Sequence, residues 1–266
     1  MTTKRKIPVA MTIAGSDPGG GAGLQADLKT FAACKVYGFS AVTAITAQNS
    51  ARVSRVVAIA PELLREQIVT LVEERIPDAL KTGALGNAAN ARVVAEAIRD
   101  LKLPAPVIDP VMVSTSGARL LDVAGERALR DQLIPLARVV TPNIPEAELL
   151  AGVTIDGPEG MKAAARAIHK GGARAVIIKG GHSQDKRAVD LLFDGRDLIE
   201  LSSLRLSGDG AHGTGCAFSA AIAANLAKGA DLEAAARRAK AFITRALRGR
   251  FTLGAGRPVL DHFARG

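Results

Sequence analysis

Short runs of apolar, largely β-branched residues recur along this chain, and stretches of helical periodicity separate most of them. Such an alternation is satisfied by a layered α/β fold. VAMTIAG (9–15), FSAVTAITA (39–47), DALKTGAL (78–85), APVIDPVM (105–112), RVVTPN (138–143) and ARAVIIKGG (173–181) read as strands. Between them GLQADLKTFAACKV (23–36), PELLREQIVTLVEE (61–74), NAANARVVAEAIRDL (87–101), GERALRDQLIPL (125–136), IPEAELLAG (144–152) and EGMKAAARAIHKGG (159–172) read as helices, the second opened by Pro61. AVDLLFDG and DLIELSS form a hairpin around Gly195 and Arg196, and two closing helices start from Thr214 and Asp231. Strands apolar on both faces and joined through helices predict a mostly parallel central sheet covered by helices on both sides. No linker, repeat or low-complexity tract divides residues 1–266, so the expectation is a single α/β domain.

Such sheets place their ligands at the carboxyl ends of the strands. GSDPGGG, TAQN, DPVM, TPNIPE and KGGH all fall there. No apolar run approaches the roughly 20 residues of a membrane helix. The opening KRKIPVAMTIAG imitates a signal peptide, but its apolar run is short and leads into a glycine-rich turn, so a cytoplasmic protein is expected. Cys34 and Cys216 make neither a disulfide framework nor a zinc site, and Cys34 reads as a small buried residue. The net charge is +9, with basic residues thickening in RRAKAFITRALRGRF (237–251). With no tryptophan and one tyrosine the chain lacks stacking platforms, so this stretch reads as a solvated helix face rather than a nucleic-acid surface. A positive field also suits a small polyanionic substrate.

The densest signal is LSGDGAHGTGCAFSAA (206–221). Gly208, Gly210 and Gly213 satisfy G-x-G-x-x-G, and Asp231 follows, yet no second parallel strand comes after the helix, so a dinucleotide fold is rejected and Asp231 reads as an N-cap. No Gly-Lys-Ser/Thr follows either, which excludes a P-loop. Glycines that let backbone N–H groups converge at a helix N-terminus still make a good anion hole.

With these blocks on the page the chain resembles the ribokinase superfamily, and within it the hydroxymethylpyrimidine/phosphomethylpyrimidine kinases of thiamine biosynthesis. The resemblance runs nearly end to end. It rests on AGSDPGGGAGLQADLKTF (14–31), TAQN (46–49), VIDPVM (107–112), TPNIPEAELL (141–150), IKGGH (178–182) and HGTGC (212–216), in that order. It implies a ribokinase-like fold and two successive ATP-dependent phosphorylations, first of 4-amino-5-hydroxymethyl-2-methylpyrimidine and then of its monophosphate. It further implies that Gln48 bonds the aminopyrimidine edge beside Thr46 and Gly15, its carboxamide matching an amino group next to a ring nitrogen. Asp27 either touches substrate or strengthens its helix N-terminus.

The resemblance places Mg²⁺ and the triphosphate at Asp109, Asn143 and Glu146, a donor set that suits an ion taking few protein ligands. Asn143 and Glu146 also spell a capping box. Lys179 is expected to neutralise nucleotide phosphate, Lys240 to lie near adenine or ribose, and Thr214 to offer a hydroxyl and an N–H to the transferring phosphate. Gly213, Thr214, Gly215 and Cys216 form the cradle, with Cys216 as general base because a thiol near a helix N-terminus is expected to have a lowered pKa. The backbone donors, Mg²⁺ and Lys179 are expected to contribute more than the base.

Two positions depart from the pattern. Ala84 follows Gly83 where the resemblance leads one to expect methionine against the ring, and Thr115 stands in the loop after VIDPVM in place of a lysine. Both leave the shape of the pocket open, so a pyridoxal or pyridoxine kinase is the alternative within the same branch. A non-catalytic pyrimidine- or nucleotide-binding module is the alternative outside enzymology. Relatives of this kind are commonly dimers, and FSAVTAITA supplies apolar surface for one.

Overall fold

The structure is a computed structural model that describes residues 7–113, 117, 119–180, 187–208 and 210–264. The chain runs β1 (Val9–Ser16), α1 (Gly23–Ala33), β2 (Tyr37–Gln48), β3 (Val53–Ala58), α2 (Pro61–Glu74), β4 (Ala79–Thr82), α3 (Ala88–Asp100), β5 (Val107–Ile108) and α4 (Val123–Ala128). It continues through β6 (Val139–Val140), α5 (Ile144–Ala151), α6 (Pro158–Lys170), β7 (Val176–Ile178), β8 (Arg187–Phe193), β9 (Leu198–Leu204), α7 (Thr214–Ala227) and α8 (Leu232–Arg248). One nine-stranded sheet has the order β3-β2-β1-β4-β5-β6-β7-β8-β9. The strands from β2 to β7 in that order are parallel, and the β3, β8 and β9 pairings are antiparallel.

Period-two alternation along the strands sends successive residues to opposite faces. Met11, Ile108, Val140, Val176 and Ile178 pack with α2, α3, α5 and α6 on one side. Their neighbours Ala10, Val107, Val139 and Ile177 pack with α1, α7 and α8 on the other. Ala217 to Asn225 of α7 are all buried, and small residues on every side let this helix lie close against the sheet. The expected layers are therefore present.

Several local readings change. β5 and β6 keep only two residues each, because Pro106, Pro110 and Pro142 withhold ladder donors on their flanks. The helix expected over 125–136 divides into α4, a π turn at Leu129–Leu133 and a 3₁₀ turn at Ile134–Leu136, the last built around Pro135. β3 was absent from the sequence reading. Asn49 Oδ1 accepts the N–H groups of Ala51 and Arg52 and turns the chain into it. Asp231 accepts the N–H of Ala234 and caps α8, in place of any ribose-binding role.

Candidate active site

The parallel strands all end at the same edge, and there a cavity of about 800 Å³ opens. Its lining includes Gln48 on β2 and Asp190 on β8. These strands are six steps apart in the sheet order, or roughly 25–30 Å at ~4.8 Å per step. The cavity is thus a trough laid across the sheet, long enough for a ring, a phosphate chain and a nucleoside in line.

Gly15, Thr46 and Gln48 line one end, and Thr46 Oγ1 donates to Ser16 O at 2.8 Å. Ala84 lies on the same wall: a Cβ built on Gly15 would stand 3.7 Å from Ala84 Cβ. Thr115, and His182 with Gly181, lie outside the described residues. At the other end Lys240 Nζ bonds Asp190 Oδ2 at 2.7 Å, beside apolar Ile243 and Leu247.

Between the ends stands the N-terminus of α7. Gly213 has φ +78, and a Cβ there would fall on Gly21 O, so only glycine fits. The N–H groups of Gly215 and Cys216 precede any acceptor within their own helix and are free for an anion. Thr214 does not offer the hydroxyl and N–H expected for the phosphate: Oγ1 donates to Ala211 O at 2.7 Å and the N–H turns to the same oxygen at 3.4 Å. The ammonium of Lys179 is beside this turn, 3.1 Å from where a Cβ of Gly215 would lie, and Asp109 Oδ2 is at 3.7 Å. Lys179 Nζ donates to Asp109 Oδ1 at 3.0 Å. Burial works against the Lys179 charge, but the carboxylates of Asp109 and Glu146 outweigh it and hold the pKa above its ordinary value.

Asn143 and Glu146 form the expected capping box on α5, with reciprocal bonds of 2.9 and 2.8 Å, and both also line the trough. Burial pushes the Glu146 carboxyl up to about 7, Asp109 adding to the rise while Lys179 opposes it.

Two further expectations are corrected. Cys216 was expected to have a lowered pKa, yet burial pushes its thiol up to about 12, with Asp109 and Asp27 adding to the rise and Lys81 and the Gly23 N–H opposing it. Asp27 neither lines the trough nor sits in the first turn of α1. It is wholly buried beneath the site, accepting from Thr12 Oγ1 at 2.6 Å and from Lys81 Nζ at 2.7 Å. Lys81, also without exposed surface, is held charged by Asp27 against the pull of burial. Sequence reasoning missed Lys81, and it missed the pair of Asp17 and His212, although all three sit inside blocks it singled out. A buried cation can be found from sequence only once its partner, far along the chain, is known.

The sequence profile of the family described as phosphomethylpyrimidine kinase matches residues 17–261. A hydroxymethylpyrimidine/phosphomethylpyrimidine kinase of Synechococcus elongatus is 48% identical over 258 residues, covering 97% of this chain and 98% of its own. Bacillus subtilis pyridoxal kinase, solved as an ADP complex, superposes with a TM-score of 0.89 at 40% identity, covering 97% of this chain and 98% of that one. Staphylococcus aureus pyridoxal kinase, solved with AMP-PCP and pyridoxal, gives 0.88 at 35% identity, covering 97% and 94%.

Proposed function

The chain belongs to the phosphomethylpyrimidine kinase family, and from that premise we infer how the trough divides between its two substrates. The protein is a kinase that uses ATP to phosphorylate 4-amino-5-hydroxymethyl-2-methylpyrimidine and then its monophosphate, in thiamine biosynthesis. In our reading the ring lies at the end lined by Gly15, Thr46 and Gln48, and the nucleoside lies against Lys240. The travelling phosphoryl group then passes over Gly213–Cys216. The observation that carries this reading is that the free N–H groups of α7 sit midway along the trough, beside Lys179 and Asp109.

In the first transfer the hydroxymethyl oxygen forms a bond to the γ-phosphorus while the bond from that phosphorus to the bridging oxygen of ADP breaks. Charge spreads over the equatorial oxygens, where the N–H groups of Gly215 and Cys216 and the Lys179 ammonium receive it. The hydroxyl proton leaves late, to the Cys216 sulfur when that group is a thiolate. With the thiol raised, this assistance is the smaller share, and alignment is the larger.

Among the described residues no group of three or more His, Cys, Asp or Glu is placed to hold a metal alone. The donor set fits a magnesium ion that arrives with the nucleotide, since such an ion needs one or two carboxylates and keeps its waters. Asp109 and Glu146 would hold it, directly or through water, with Asn143 beside them. When bound, the ion would neutralise charge on the phosphates.

Residues 1–266 are read as one kinase domain. No described helix is long and apolar enough to cross a membrane, and a cytoplasmic setting is our reading. On the β2–β3 ladder Thr46, Gln48 and Val56 line the trough, while the cross-strand pair Ile45 and Val57 is exposed. We read that outer face as the contact of a homodimer, which sedimentation of Val57→Glu against the parent checks.

An ADP-release assay across the hydroxymethylpyrimidine, its monophosphate and pyridoxal tests the assignment. Both pyrimidines are expected to turn over, with pyridoxal slower. The small Ala84 wall favours the second reading, a pyridoxal kinase, and pyridoxal outrunning both pyrimidines would establish it.

A further inference from the structure

A buried polar network joins the turn after β1, the end of β2 and the residue that precedes the phosphate cradle. His212 Nε2 lies 3.0 Å from Asp17 Oδ2 and 3.2 Å from the Gln48 side-chain amide, at its Nε2 position. Asp17 Oδ1 accepts the N–H of Gly19 at 2.9 Å, and Oδ2 accepts that of Ala22 at 2.8 Å. Although burial opposes it, these bonds and His212 hold the Asp17 carboxyl below its ordinary value, so it is a carboxylate at neutral pH.

A carboxylate only accepts. The proton in the contact between Asp17 and His212 therefore sits on Nε2, and that nitrogen has no lone pair for an amide N–H. With the Gln48 NH₂ turned toward it, two donors would face each other. With the Gln48 carbonyl oxygen turned toward it, the one Nε2–H is shared between the carboxylate at 3.0 Å and that oxygen at 3.2 Å, and no two donors collide. Amide oxygen and nitrogen occupy equivalent positions, and the surrounding bonds decide between them.

We propose that Asp17 and His212 are positioning residues that hold the Gln48 carboxamide with its carbonyl on His212 and its NH₂ turned into the trough, so that the site selects a ring presenting a hydrogen-bond-accepting nitrogen. The inference rests on the reading of Gln48 as the ring-binding residue. It adds the reason why a side chain able to donate or accept presents a donor. A heteroaromatic ring with an N–H or C–H at that place leaves the donor unmatched. The histidine is held on its other sides as well. Its backbone N–H donates to Pro258 O at 2.7 Å, and a Cβ on Gly21 would stand 2.7 Å from its Cδ2. Because His212 immediately precedes Gly213, the same ring ties the acceptor's position to the cradle.

Steady-state kinetics of full-length His212→Phe, Gln48→Leu and the double variant, with the hydroxymethylpyrimidine and ATP, test it. Each single change is expected to raise the pyrimidine KM about tenfold while the ATP KM stays within about twofold, and the double variant is expected to be no worse than Gln48→Leu. Additive losses overturn the inference, as does a His212→Phe effect that falls equally on ATP KM and kcat. A Gln48→Leu enzyme with unchanged pyrimidine KM overturns the ring-binding reading and this inference with it. Should His212→Phe fail to fold, long-range ¹H–¹⁵N spectra of the parent enzyme read the tautomer, with Asp17→Asn identifying the resonance. The Nε2–H form is predicted, and an Nδ1–H form with a bare Nε2 overturns the proposal.

Discussion

Cys216 shows how a local rule yields to burial. The thiol stands at a helix N-terminus, where a lowered pKa is the ordinary outcome, yet desolvation pushes it up to about 12. If its thiolate takes the hydroxyl proton, the single-turnover rate rises with pH through the neutral range, because the thiolate fraction grows about tenfold per pH unit. Cys216→Ala is expected to abolish that slope, to lower the rate at about pH 9 by about 100-fold, and to leave ATP affinity within about twofold. A flat profile in the parent enzyme removes the base role while leaving the cradle in place.

Glu146 makes a second pH-dependent case. Its carboxyl ionises at about 7 in the fold, against an ordinary 4.5 when unfolded. Between those values the native state keeps a proton that the unfolded chain has lost, so this group's contribution to stability declines as pH rises through the window. Nucleotide-free Glu146→Gln is therefore expected to exceed its parent above about pH 7 by on the order of 2 kcal/mol, the gap closing toward about pH 4.5. Urea denaturation across that range checks it, and a gap that ignores pH contradicts it.

At the scale of elements, the ion pair of Lys81 on β4 with Asp27 on α1 joins a strand to a helix that packs on the neighbouring strands β1 and β2. Neither side chain is exposed. Removing one partner strands the other charge, so Asp27→Asn is predicted to cost about 3 kcal/mol in chemical denaturation. A loss below about 1 kcal/mol would show that Lys81 finds another partner. The long periodic helices, the buried central strands and the cap at Asp231 were legible because each follows from residues a few places apart. The brevity of β5 and β6 was legible in their prolines but was not used. β3 was missed because its run, VSRVVA, is exposed along most of its length and joins β2 through a turn that only the side chain of Asn49 marks.

Across the whole molecule, the blocks quoted from the sequence converge on one trough because parallel strands present all their carboxyl ends at one edge. That convergence, and most of the candidate residues, could be read before any coordinates. What could not be read were pairs set by tertiary approach, such as Asp17 with His212 and Asp27 with Lys81, and the desolvation that reverses the expectation for Cys216. The central claim is that α7 receives the phosphoryl group midway between ring and nucleoside. A crystal structure with Mg²⁺, a non-hydrolysable ATP analogue and the hydroxymethylpyrimidine tests it most directly. The γ-phosphate is predicted within hydrogen-bond distance, about 3 Å, of the Gly215 and Cys216 N–H groups, with the ring against Gln48. A γ-phosphate bound elsewhere in the trough, with those N–H groups facing only water, would contradict it.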